Sequence, residues 1–352
     1  MRAVLRWALA LAACLLGSSV AHAQLDQPDA LKTYRTIWDQ TDDALWEAVF
    51  DLRTIAPNWR PDRPSALVFV QRLELVERLA DATRLESSPA SREPTDQWEQ
   101  ATSDARNFRR TAYILSVDAT RLLAEGNADA AAARVGAILR LADQLANQSR
   151  IDAATLAVMC IELVDEQVES VCASSSLTER GRRELSVGVA SLDAKDPVGF
   201  RRAFEGARAF GTWATATCVG DKAGETLVDA LPLPEDRKRP LAEGEEPERR
   251  RGMRRAPGLP SRQLVSEIRR QDAEGIRSAA RQFEKMIEEA LEAWDQPDAE
   301  EALRGIDFQA DRGVYGVFAR LLPQFYSRHR RTADRVDDAM GRIGVIVVAR
   351  KR

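Results

Sequence analysis

Apolar residues recur along almost the whole chain at the 3.6-residue spacing of an amphipathic helix, and the two-residue alternation of a strand is scarce. Over residues 29–55, Leu31, Tyr34, Trp38, Leu45, Val49 and Leu52 fall on one face, which predicts a helix. Pro57, Pro61 and Pro64 mark a linker after it. The spacing predicts a second helix over 65–86 with Leu67, Val70, Leu73 and Val76 inward. A polar loop with Pro89 and Pro94 follows, then a long helix over 95–124.

Gly126 and Asn127 close a turn. Glycine suits the left-handed position after a helix, and asparagine can cap the next one. That next helix is expected over 128–147, with Val135, Ile138, Ala142 and Leu145 on one side. Another runs from Ile151 to Ala173 with Ala157, Ile161, Val164, Val168 and Val171 inward. The pattern continues over 177–192 and over 196–219, where Phe200, Phe204, Ala207, Phe210 and Ala214 form a stripe. A single helix over 261–294, about 50 Å long by its rise, is predicted from Leu264, Ile268, Ile276, Phe283, Ile287 and Leu291. Helices over 298–307 and 314–348 complete the chain. The closing "GVIVVARKR" reads as the last turns of a packed helix or a short strand, too short for a membrane span. The fold class expected is all-α, either an irregular helical bundle or a short tetratricopeptide-like α-solenoid.

Composition divides this helical chain. Residues 231–260 are rich in proline and charge and poor in large apolar side chains. They read as a flexible linker that cannot bury enough surface to offset its ordering entropy. The chain opens "MRAVLRWALALAACLLGSSVAHAQ": basic Arg2 and Arg6, an apolar run, then Ala21 and Ala23 at the spacing a signal peptidase requires. The expectation is a signal peptide over 1–23, a helical domain over 24–230, the linker, and a C-terminal helical segment over 261–352. Cleavage after Ala23 would deliver the protein to the periplasm or the exterior. Leu11-Ala12-Ala13-Cys14 also fits a lipobox, which would make Cys14 a lipid anchor instead. Cleavage removes two arginines and no acid, taking the formal charge from −4 to −6, a mild value that gives no footprint for nucleic acid.

Candidate chemistry is sparse. Past Ala23 the one histidine is His329, set among Arg328, Arg330 and Arg331 and read as facing solvent. One histidine leaves no zinc constellation and no paired Glu-x-x-His motif. No nucleotide-binding glycine loop or nucleophile elbow occurs either. No cofactor or metal is expected. Cys160 and Cys172 would stand about 18 Å apart on one helix, beyond bridging distance. A disulfide would therefore need Cys218 with one of them, and the alternative is that all three are small buried hydrophobes. Glu162, Asp165, Glu166 and Glu169 form one acidic ridge, readable as a solvated helix face or as glycosidase carboxylates, which need two groups about 5–9.5 Å apart in a cleft. Trp38 and Trp46 could stack on a sugar or pack in the core. Arg249, Arg250, Arg251, Arg254 and Arg255 form a basic run in the linker that could touch anionic lipid or an acidic partner, although Glu243, Glu245, Glu246 and Glu248 precede it.

The stretch "LLAEGNADAAAARVGAILRLADQLANQ" (122–148) resembles a tetratricopeptide-type turn between two helices, with Ala124, Gly126, Ala131, Ala132, Ala137 and Leu141 at packing positions. No second copy follows at that period, so an ordinary helical hairpin is the alternative. The order of parts is also similar to a group of uncharacterised exported α-helical proteins of planctomycete bacteria. They share the early "LxxYRxxW" (Leu31, Tyr34, Arg35, Trp38), the central block from Leu122 to Met159, and the late segment with Leu321, Leu322, Pro323, Phe325, Arg331, Ala333 and Arg335. The resemblance implies a helical envelope protein and no particular activity. The function expected is a non-enzymatic scaffold or binding module of the cell envelope for a protein or peptide partner, with Arg134, Arg140 and Gln144 on the face that meets it. Membrane contact is expected only through a lipidated Cys14 or the basic linker. A carboxylate-dependent hydrolase of cell-wall glycan is the alternative.

Overall fold

The N-terminal halves of the helices explain where they begin. The computed structural model describes residues 29–55, 59–86, 97–231, 233, 261–321 and 325–349. In six helices the side-chain oxygen of the residue just before the helix accepts a first-turn N–H group. Asp29 caps α1 (Ala30–Trp38) and Asp42 caps α2 (Asp43–Phe50). A π-helical turn (Asp51–Ile55) continues directly from α2, and Pro64 occupies the first turn of α3 (Pro64–Val70). Helices α4 (Leu73–Ala82) and α5 (Gln97–Ala124) follow. Asn127 caps α6 (Ala128–Ala146), which leads to α7 (Ile151–Ala173). Thr178 caps α8 (Glu179–Ser191), and α9 (Phe200–Thr217) and α10 (Ala223–Ala230) close the first part of the chain. After residue 260, Ser261 caps α11 (Arg262–Arg269) and Asp272 caps α12 (Ala273–Trp294). Then come α13 (Ala299–Asp311), α14 (Gly316–Leu321) and α15 (Tyr326–Ala349). Every regular element among the described residues is helical, so the fold is all-α.

Four expected helices are broken. The first turns at Asp39–Asp42 and then widens into the π segment. The second divides at Gln71–Arg72, and its first half is rotated from the expected face. Ala66 and Phe69 are buried, while Leu67 and Val70 are 55% and 43% exposed. The expected 50 Å helix divides at Arg270–Asp272, because the Gln271 carbonyl turns out to accept the Gly224 N–H at 2.9 Å and Asp272 starts a new helix. Gly224 permits that approach: a Cβ there would lie 2.0 Å from the Ile268 carbonyl oxygen. The last expected helix divides into α14 and α15.

At the centre lies α6, packed against α5, α7 and α8. Gly136 and Gly188 let α6 and α8 cross in backbone contact: a Cβ on Gly188 would lie 2.9 Å from the Gly136 Cα. Helix α15 lies along α7 through Val336, Ala339, Ile343 and Val347, and α9 packs on α12. Buried residues from both sides of the 234–260 stretch join one apolar cluster, so the C-terminal segment shares the core of the N-terminal one. That cluster is the main source of stabilisation, since each buried aliphatic side chain contributes about 1.5–3 kcal/mol. Leu231 and Leu233 belong to it, so the expected linker begins later than residue 231. The segment expected to be a signal peptide, Cys14 and the basic run from Arg249 to Arg255 lie outside the described residues.

Candidate ligand site

Arg134, Arg140 and Gln144, expected on a partner-binding face, are internal fasteners. No residue of α6 is exposed. The Arg134 Nε donates to Asp118 at 2.7 Å, and Arg121 of α5 donates to the other Asp118 oxygen at 2.8 Å. Asp118 is wholly buried, and its two arginines reach on to Glu77 and Glu125. Gln144 accepts from the Tyr34 hydroxyl at 2.9 Å and donates to the carbonyls of Ala82, Thr83 and Leu85. It thereby serves the C-terminal end of α4, whose last carbonyls have no partner within the helix. Arg140 donates to the Thr83 hydroxyl and pairs with Glu184 at 3.7 Å. Burial holds the Arg140 guanidinium below its ordinary pKa and pushes the Tyr34 phenol up.

Other expected positions also move. Trp38 is core, stacked on Tyr34 and donating its indole N–H to Thr111 at 3.0 Å. Trp46 lies under the Arg110 guanidinium, 4.5 Å from the ring centre. His329 is half-buried rather than facing solvent. Its ring stands 4.8 Å from that of Phe200, in a cluster with Phe204, Trp294 and Tyr326. Cys160, Cys172 and Cys218 are all buried thiols, as small apolar side chains are. Burial pushes the Cys160 thiol up to about 12, which suppresses its thiolate at neutral pH. Among the described residues no group of three His, Cys, Asp or Glu side chains could hold a metal ion.

The acidic ridge of α7 is a joint. Asp165 pairs with Arg342 at 2.5 Å and Glu162 with Arg335 at 3.8 Å, both from α15. On the other flank Glu166 meets Arg53 of the π segment at 3.4 Å. Single-turn π elements recur at functional sites because their wider turn re-aims side chains. Here the π segment forms one wall of a cavity of about 510 Å³, closed by α5, α7 and Trp59. The volume falls in the range of about 300–1,000 Å³ common to small-molecule sites.

Its lining is mostly polar: Arg53, Thr54, Ser116, Thr120, Glu166 and Gln167, with Leu52, Val117 and Trp59 supplying apolar surface. The Arg53 guanidinium sits 4.7 Å over the Tyr113 ring and donates to the Ser116 hydroxyl at 3.2 Å. Gln167 donates its amide to the Ser116 carbonyl at 2.9 Å and to the hydroxyls of Ser116 and Thr120. Those bonds leave the other end of the amide, the buried Gln167 Oε1, without a hydrogen-bond partner. An unmet buried acceptor of this kind costs about 1–3 kcal/mol. Trp59 is held edge-on against Phe69, with ring centres 6.0 Å apart.

A second cavity of about 250 Å³ lies between α9 and α12, where Arg208, Arg277 and Arg281 meet Thr212 and Thr215. Its cations are largely matched: Glu274 pairs with Arg277 and Arg281, and Glu288 stands 3.7 Å from Arg208.

Sequence reasoning missed the larger cavity because its walls come from four separate elements. The available signal was polar residues on otherwise apolar stripes: Ser116 between Leu115 and Val117, and Gln167 beside Val164 and Val168. Comparison with protein-family models, with curated proteins and with solved structures finds no match for this chain.

Proposed function

We propose that the chain is an exported, non-enzymatic binding module of the bacterial cell envelope, and that the cavity between the π segment, α5 and α7 receives its ligand. The observation that carries this reading is a cavity of small-molecule size whose polar wall is ordered by hydrogen bonds among Gln167, Ser116 and Thr120. The packed helices behind it support binding, because a rigid wall holds its polar groups at fixed positions and lowers the entropy lost on association. Catalysis is less well served. Glu166 is the one carboxylate among the described lining residues, its side chain is 63% exposed, and it is tied to Arg53. A glycosidase needs an acid and a base facing each other across the bond it breaks. Helix α6 of the 122–148 hairpin has no exposed residue and so offers no face of its own to a partner.

The test is a photo-crosslinking residue placed at Thr54, which is exposed and lines the cavity, compared with the same residue at exposed Val187 on α8. Cells producing each variant are irradiated and the adducts analysed by mass. A defined adduct from position 54 that is absent from position 187 supports the reading. Equal labelling at both positions, or none at either, removes the cavity as the site.

A further inference from the structure

We infer that the outward face at the end of α15 pairs, antiparallel, with the same face of a second copy of this chain. Helix α15 buries Val336, Ala339, Ile343 and Val347. Opposite that stripe it shows Asp334, Asp337, Asp338, Gly341, Val345 and Val348, all exposed and recurring at helical spacing. Val345 and Val348 are 66% and 63% exposed, among the most exposed large apolar side chains of the described residues. A Cβ added to Gly341 would find no atom within 4 Å, and the same holds for Gly344 one turn on. Glycine inside a helix costs about 0.5–1 kcal/mol relative to alanine. At Gly136 and Gly188 the missing Cβ brings two helices into backbone contact. No described helix makes such a contact at Gly341 or Gly344.

Charge selects the occupant. The small, apolar stretch has acids before it, Asp334, Asp337 and Asp338, and bases after it in the sequence, Arg350, Lys351 and Arg352. Turned antiparallel about a two-fold axis between Gly344 and Val345, two such faces set the acid block of each copy against the basic block of the other. A parallel pair would set like against like. Pairing of one patch with itself across a two-fold axis is the commonest form of homo-oligomer. The same axis places Val348 of each copy opposite Gly341 of the other, so a large side chain meets a gap in the facing ridge. Arg342 does not interfere, because it turns sideways to Asp165 of α7. The acids also decide against a competing surface. Exposed valines followed by a basic run suit an anionic membrane, but three carboxylates on the same face repel its headgroups. About three turns of one helix make a face at the small end of specific interfaces, so the dimer is weak and sensitive to salt.

The experiment is sedimentation velocity of the full chain from about 5 to about 500 μM, at low salt and near 1 M NaCl. A reversible monomer–dimer equilibrium is expected, weaker in high salt. Val345→Glu, at an exposed position, is expected to weaken dimerisation about tenfold or more by placing two carboxylates beside the axis. Asp337→Lys combined with Asp338→Lys is expected to weaken it too, because each basic block then meets lysines. Adding Arg350→Glu and Lys351→Glu to that variant is expected to restore it. Leu67→Glu, a similarly exposed change on α3, is expected to leave it unaltered. Thermal melts establish that each variant is folded, and the charge swaps carry the test if Val345→Glu is not. A monomer at every concentration overturns the inference, as does a dimer that Val345→Glu leaves intact. A dimer indifferent to the charge swaps overturns the antiparallel pairing. Co-sedimentation with phosphatidylglycerol vesicles in the absence of a dimer overturns the second copy as occupant and assigns the face to a lipid surface.

Discussion

Two clusters of charge, one on α5 and α6 and one on α7, look alike as strings of Asp, Glu and Arg and behave oppositely in the fold. Asp118 is wholly buried and receives Arg121 and Arg134 on its two oxygens. The α7 ridge lies at the surface, where Arg335, Arg342 and Arg53 reach it from neighbouring elements. In the first cluster water has been removed, so each charge depends on its partners. In the second, water and salt compete with every pair, so the pairs guide packing more than they stabilise it. The contrast teaches that charge content says little until burial is known.

The sharpest way to break the comparison is Asp118→Ala. It removes the buried acceptor that Arg121 and Arg134 share, leaving them only Glu125 and Glu77, and should cost about 3–5 kcal/mol in urea unfolding. Asp118→Asn, which keeps one acceptor, should cost less. A loss below about 1 kcal/mol for the alanine variant would show that the buried cluster behaves like a surface pair.

Next in size is Gly188→Val, which acts on the seam beside that cluster. Its side chain would enter the Gly136 backbone, already 2.9 Å from a Cβ at that position. A loss of about 1–3 kcal/mol is expected from overpacking. An unchanged unfolding midpoint would mean that α6 and α8 can separate freely.

A smaller effect separates exposed pairs by pH. A hydrogen bond from Arg72, at 2.6 Å, and then one from the Leu45 N–H hold the Asp42 carboxyl below the usual carboxylate range. Its contribution is full above the ordinary aspartate pKa and is lost as pH falls through the lowered folded value. Asp42→Asn keeps a capping oxygen and removes the charge. Melting temperature followed from neutral to acid pH should fall less steeply in the variant, and parallel curves would show that the Arg72 pair is inert.

The smallest expected effect is that of Arg342→Gln on the α7 ridge. Its melting shift should be slight at low salt and vanish near 1 M NaCl, where charges are screened over about 3 Å. A large salt-independent shift would place the ridge in the same energetic class as Asp118.

The turn at Gly126–Asn127 was legible residue by residue, because it depends on local chemistry. Gly126 has φ +78°, and Asn127 accepts the Ala130 N–H at 3.2 Å. The stripes of α7 and α9 were equally plain, since Val164, Val168, Phe200 and Phe204 repeat at helical spacing and are buried. The roles of Arg134, Arg140 and Gln144 were not legible. An arginine or glutamine in an alanine-rich helix reads as solvent-facing until the carboxylate or carbonyl opposite it is known, and those partners lie as far away in the chain as Glu77 and Leu85. His329 was misplaced for the same reason: its neighbours in sequence are arginines, but its neighbours in space include Phe200 and Phe204.

Local rules thus account for the helical class, most caps and most core-facing stripes, because hydrogen bonding and side-chain periodicity act over one or two turns. Tertiary packing alone decided where α2 widens into a π turn, which charged groups lost their water, and that Arg53, Trp59, Ser116 and Gln167 enclose one cavity. Those outcomes depend on which helices meet and at what distance, and a glycine seam or a single carbonyl such as that of Gln271 sets them without leaving a periodic trace in the chain.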